Sequence, residues 1–324
     1  MPLTLADLFA SPDHYLHSID GDAAVFVPMD RAAYHRSIFL DGRIAPAGEG
    51  TMRVPLSLLV GAPPPPPLAT SWIFHVAHCG STLLARALDR PSGNLVLREP
   101  LALRQVALAP DRERLALVAA MLSRRYRPDA VTLVKANVPV NFILPALAGT
   151  DPDASAIFLY LGLKDYLLAV LRSDNHRDWL GRVTGQLGQR LGDVPVASDA
   201  ERAAALWTAQ MRAFAEALAL LPNARSLDGE AFFASPAPTL AAAARQLRVE
   251  MSADEVEAHV AGPLFATYSK NPDMQFDDRA RRARASEAAR MLAAEMQAAA
   301  AWVDRAAGGA EALEATVAAR ALQN

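Results

Sequence analysis

The chain has 324 residues, of which 52% are hydrophobic and 21% charged, and it carries a formal net charge of −3. That length and apolar fraction are enough for a full core, so disorder is excluded as the default. The near-neutral charge gives no overall attraction to nucleic acid or to an anionic membrane, so any anion must be held by a local site. The single cysteine, Cys79, excludes an internal disulfide framework and fits a reducing cytoplasm.

The opening "MPLTLADLFASPDHYLH" has acids and histidines where an export signal carries basic residues and then an apolar run, so no export is expected. Residues 1–61 predict a small β-containing cap, with "AAVFVPM" and "YHRSIFLDGRI" as β-formers and a tight turn at Asp41 and Gly42. The run "APPPPP" marks a proline-rich linker over 62–68 in extended polyproline geometry. Residues 69–324 then form one α/β domain. The runs "SWIFHVA", "NLVLR", "AVTLVK" and "SAIFLYL" alternate with helical patterns, which predicts a parallel sheet covered by helices on both faces. The long apolar stretch "AVTLVKANVPVNFILPALAG" is interrupted by Lys135, Asn137, Asn141 and two prolines, and so reads as strand, loop and helix, not as a membrane span. From Asp199 onward alanine-rich helices dominate, and "ARSLDG" is one short strand returning to the sheet.

The chemistry concentrates in "IFHVAHCGSTLLARAL", residues 73 to 88. A strand ending near Ala77, then His78, Cys79, Gly80, Ser81, Thr82 and Leu83 opening a helix, places backbone N–H groups and hydroxyls where an anion can be held. Gly80 lets the backbone approach a phosphate, and Ser81 or Thr82 can cap the helix or bind a phosphate oxygen. The ATPase pattern G-x-x-x-x-G-K-[ST] is absent, because no lysine follows Gly80. Cys79 fits as a small residue of the loop, since no Cys/His partner motif accompanies it. His75, on the strand, reads as structural.

This stretch resembles the sulfotransferase family, whose phosphosulfate-binding loop follows the first strand and reads basic residue, small residue, Gly, Ser/Thr, Thr and then a leucine-rich helix. The resemblance covers roughly residues 70–175, and more weakly 265–285. It implies a three-layer fold related to the P-loop kinases, 3′-phosphoadenosine-5′-phosphosulfate (PAPS) as co-substrate, and sulfuryl transfer to a hydroxyl or amine of a small-molecule or peptide acceptor. His78 then stands where the family carries a catalytic lysine or arginine, and it supplies a cation only when protonated. Glu99, after "LVLR", takes the place of the general base, with a salt bridge to Arg98 or Arg104 as its alternative role.

By the same resemblance, Lys135 and Asn137 are candidates for sulfonate or acceptor binding. The family binds the donor's 3′-phosphate with an arginine and a serine, and here Leu161 and Ala169 stand at those places. Lys164, Arg172, Ser173 and Lys270 are the available substitutes. "SDNHRDW", Ser173 to Trp179, is a candidate acceptor lid, and Arg279, Arg281, Arg282 and Arg284 read as the solvated first turns of a long helix. No metal is expected, because no ligand cluster is recognisable. Two alternatives accompany this reading: a nucleotide-sensing or partner-binding protein that has lost PAPS use, and a P-loop-type small-molecule kinase. Oligomeric state and acceptor identity are not encoded in any motif of the chain.

Overall fold

The computed structural model describes residues 3–61, 65–90, 92–268, 271–275 and 278–323. Three antiparallel strands, β1 (His14–Asp20), β2 (Ala23–Pro28) and β3 (Met52–Pro55), form the amino-terminal sheet. Five parallel strands follow: β4 (Thr70–His75), β5 (Leu95–Arg98), β6 (Thr132–Lys135), β7 (Ser155–Tyr160) and β8 (Ala224–Asp228). Their order is β5-β6-β4-β7-β8, so β4 lies in the middle and its two neighbours come from later in the chain.

Every residue of β4, β5, β6 and β7 is buried, which requires cover on both faces and explains why these strands are unbroken apolar runs. The alternation of side chains along β4 shows both layers. Trp72 and Phe74 stack towards Phe158, which packs on Phe214 of the long helix Asp199–Leu220. On the other face the Ser71 hydroxyl donates to the Leu247 carbonyl, just past the helix Pro236–Gln246. The result is the three-layer α/β arrangement expected from the sequence, with "ARSLDG" supplying edge strand β8.

The cap is tied to the free edge of this sheet. Leu40 donates to the Arg98 carbonyl (2.7 Å), and Leu101 donates back to Leu40 (3.2 Å). The segment "YHRSIFL", read as β-forming, departs from that expectation. Tyr34, His35 and Arg36 end a helix, Arg31–Arg36, because Asp30 caps it by accepting from the Ala33 N–H at 2.6 Å. The turn at Asp41 is present, with Ile44 donating to the Asp41 carbonyl at 2.9 Å.

Arg98 locks that helix to the sheet. Its buried guanidinium donates to the carbonyls of Tyr34 (2.7 Å), His35 (2.9 Å) and Ser37 (2.6 Å) and pairs with Asp89 at 2.5 Å. These carbonyls lie at the negative end of the helix, where a cation belongs. Arg98→Met strands Asp89 without its buried partner and is expected to cost about 3–5 kcal/mol in urea unfolding; a loss under about 1 kcal/mol would contradict this role.

Candidate active site

Beyond His75 the chain enters a turn that sequence rules disfavour. Ala77 (φ 73°) and His78 (φ 53°) both occupy the left-handed region, and Gly80 (φ 91°) follows. Each non-glycine residue there costs of order 1–3 kcal/mol unless its surroundings enforce it. The enforcement is visible. Ala77 donates its N–H to His75 Nδ1 at 3.0 Å, and Val76 donates to the Leu159 carbonyl of β7 at 3.2 Å. Gly229 passes so close that a Cβ there would stand 2.6 Å from the Cys79 carbonyl oxygen. A Cβ on Gly80 would lie 2.9 Å from the Phe233 ring.

Helix α1 (Ser81–Ala87) starts here, with Leu84 donating to the Gly80 carbonyl. The first-turn N–H groups of Ser81, Thr82 and Leu83 have no intrahelical acceptor, and together with the left-handed turn they form a concave cradle of donors. The Thr82 hydroxyl is buried and has no partner among the described residues. Ser81 and Leu83 are also buried, and Cys79 is fully buried, its thiol pointing to the Leu159 carbonyl. That burial argues against Cys79 as an attacking group.

The half-buried His78 ring lies 4.1 Å from the ring of His176 and 4.9 Å, edge to face, from that of Trp179. Both belong to α2 (Asp174–Leu187). The "SDNHRDW" segment is therefore not a loop: Ser173 is the exposed residue preceding this helix, and its first turns carry the two rings. His176 Nδ1 lies 2.7 Å from the Ala169 carbonyl. The exposed Arg172 stands 3.3 Å from the same nitrogen, adding a cation to this side.

On the other side of β4 stand Glu99 and Lys135. Glu99 has a left-handed backbone (φ 57°), and its N–H donates to the Lys135 carbonyl. Its side chain is 18% exposed, while Lys135 is 0% exposed and donates to Glu99 Oε1 in a buried ion pair. Glu99 thus bonds neither of its expected partners, since Arg98 goes to Asp89 and Arg104 to Gln186. Lys135, expected to contact the sulfonate or the acceptor, holds the Glu99 carboxylate in this structure. Asn137 is buried beside it with its Oδ1 unpartnered among the described residues.

The ends of β7 and β8 carry the opposite charge. Leu161 is buried, and its carbonyl accepts from Trp207 Nε1 at 2.9 Å. Leu163 opens the helix Leu163–Leu171 by donating to Glu314 Oε1 at 2.8 Å, so a carboxylate of this chain sits on that helix start. Asp165, Asp228 and Glu230 lie near it. Burial, then Glu230, raises the Asp165 pKa; burial, with Glu230, Asp165 and Glu314, raises that of Asp228; burial, then Asp228 and Glu314, pushes Tyr160 up to about 12. Lys164 is exposed beside Asp165, and Arg281 forms a two-pronged pair with Glu230. Lys270 lies outside the described residues.

The structure thus brings His78, Gly80, Ser81 and Thr82 together, and it sets Glu99 with Lys135 at the neighbouring strand ends. It adds His176 and Trp179, which the sequence flagged only as lid residues, and the acidic group, which no local motif announces. Among the described residues there is no group of three His, Cys, Asp or Glu side chains placed to hold a metal ion. Nor, among them, is any helix long and apolar enough to cross a membrane.

No protein-family model and no curated protein sequence matches the chain. Among solved structures it is similar to a sulfotransferase from Alicyclobacillus acidocaldarius, with 14% identity over 76% of this chain and 99% of that one and a TM-score of 0.39. It is also similar to the sulfotransferase domain from the curacin biosynthetic pathway, with 12% identity over 61% and 80% of the two chains and a TM-score of 0.39. Likenesses at this level carry nothing about chemistry, and the α/β architecture stands on the strand order of the chain itself.

The raised pKa of Asp165 has a consequence for stability. As pH rises, the unfolded chain ionises this carboxyl first, so the folded state loses stability until Asp165 ionises as well. Asp165→Asn is therefore expected to raise Tm at pH 7 and to lose that advantage at about pH 3, below both pKa values. A Tm at pH 7 no higher than that of the unsubstituted protein would contradict it.

Proposed function

We propose that the chain is a sulfotransferase that binds the 5′-phosphosulfate of PAPS on the Ala77–Thr82 loop and transfers the sulfuryl group to an acceptor hydroxyl or amine. One observation carries this reading. The strained loop at the carboxyl end of the central strand combines a concave set of backbone donors with Ser81, the buried Thr82 hydroxyl and the His78 imidazole, at the point of the sheet where the strand order reverses.

Each residue has a task in that reaction. The loop N–H groups and Thr82 hold the phosphosulfate oxygens, and such preorganised donors supply most of the stabilisation of developing negative charge. His78, held between its loop and the rings of His176 and Trp179, donates a hydrogen bond or a cation towards the bridging oxygen. The half-buried carboxylate of Glu99, oriented by Lys135, takes the proton of the attacking acceptor.

The fit is uneven along the donor. The loop suits the phosphosulfate end, but Leu161 and Ala169 offer no cation to a 3′-phosphate, and Asp165, Asp228, Glu230 and Glu314 oppose one nearby. Arg172, beside the His176 ring, is the cation on hand for that end. The same observation favours a second reading, a nucleotide-sensing or partner-binding protein that keeps the loop and has lost PAPS use.

Titration calorimetry separates the two. Adenosine-3′,5′-bisphosphate is expected to bind at micromolar Kd and to weaken at least tenfold when the 3′-phosphate is removed, as in AMP. In the same assay Gly80→Ala, forced into a left-handed φ beside Phe233, is expected to weaken the bisphosphate at least tenfold. Absence of bisphosphate binding would remove the PAPS assignment, and tight binding of ATP with magnesium would put a kinase in its place.

A further inference from the structure

We infer that His75 is a positioning residue that couples the Glu99–Lys135 pair to the anion-binding loop; this rests on the transferase reading above for its functional meaning. His75 ends β4 and is 5% exposed. Its two ring nitrogens serve two different parts of the site. Nδ1 accepts from the Ala77 N–H at 3.0 Å, the residue that enters the left-handed turn. Nε2 lies 2.8 Å from the Ala136 carbonyl, 3.1 Å from Lys135 Nζ and 3.9 Å from Glu99 Oε1.

These partners settle the protonation pattern. The Ala77 N–H can only donate, so Nδ1 accepts and a neutral ring carries its proton on Nε2, directed at the Ala136 carbonyl; the Lys135 ammonium, itself only a donor, then makes no bond to that nitrogen despite its 3.1 Å distance. The imidazole is neutral in a single tautomer, and a second proton would set an N–H against the N–H of Ala77. Lys135 therefore directs its ammonium to Glu99, and the ring acts as a rigid spacer between that pair and the loop. The His75 carbonyl is itself held by Asn141 Nδ2 at 3.0 Å, and Asn141 bonds Gln210 at 2.9 Å, so the spacer is braced from the helix layer. A shift of the turn when an anion binds is transmitted through the ring to Lys135 and Glu99, and the reverse.

Two substitutions divide the ring's roles. Asn offers a side-chain oxygen to the N–H two residues on, as in an Asx turn, and so replaces Nδ1 while deleting Nε2. Gln places a donor near Nε2 and removes the acceptor facing Ala77. In NMR spectra of the unsubstituted protein, His75 is expected as the Nε2–H tautomer, and adenosine-3′,5′-bisphosphate is expected to move the Glu99 carboxyl carbon resonance. His75→Gln is expected to displace the Ala77 amide resonance and weaken the bisphosphate at least tenfold. His75→Asn is expected to keep Kd within threefold while the ligand-induced shift at Glu99 disappears.

An Nδ1–H tautomer, or variants that both bind and relay the shift unchanged, would overturn the inference. If the unsubstituted protein binds no bisphosphate, the transferase reading falls, and His75 is still decided by its tautomer and by whether Ala77 moves in the Gln variant alone. The tautomer is read without substitution, so the test stands even where a variant fails to fold.

Discussion

Two consecutive non-glycine residues in left-handed geometry, Ala77 and His78, are the constraint around which the rest of the molecule is arranged. Nothing local favours that turn. It persists because His75 accepts from Ala77 on one side, β7 takes the N–H of Val76 on another, and the bare backbone of Gly229 closes on Cys79 from the third. Strain of this kind survives only where packing over-determines it, and it clusters at sites that do chemistry. The central place of β4 supplies the packing, since it is flanked by β6, which carries Lys135, and by β7, whose end leads to Leu161.

The electrostatics follow from that geometry. Lys135 is wholly buried, and an unpaired ammonium at that depth would be costly, so its pairing with Glu99 orients the carboxylate. The guanidinium of Arg172, beside the His176 ring, lies on the other side of the loop, and the carboxylates of Asp165, Asp228, Glu230 and Glu314 collect at the ends of β7 and β8. A ligand with one strongly anionic end suits this division. A second phosphate lying over the acidic group does not.

Much of this was legible in the sequence. Strands buried on both faces can be written only as apolar runs, so β4, β5, β6 and β7 announced themselves, and Gly80, Ser81 and Thr82 marked the loop by being small and polar between a strand and a helix. What was hidden came from contacts between distant segments. Arg98 and Glu99 are adjacent and of opposite charge, yet the strand ends at Arg98 and Glu99 turns in left-handed geometry, and their partners, Asp89 and Lys135, lie elsewhere in the chain. The burial of Lys135 was hidden because it involves the cap, where Phe39 lies 5.7 Å from its ammonium. The acidic group is assembled from three separate segments, and the helix beginning at Asp174 was disguised by the polar residues of its exposed face.

Amide-resolved NMR titration with adenosine-3′,5′-bisphosphate tests most directly whether the Ala77–Thr82 loop holds an anion. The largest shifts are expected at the backbone N–H groups of Gly80, Ser81 and Thr82, with His78 responding alongside. Shifts confined to other regions, with these amides unmoved at saturation, would contradict it.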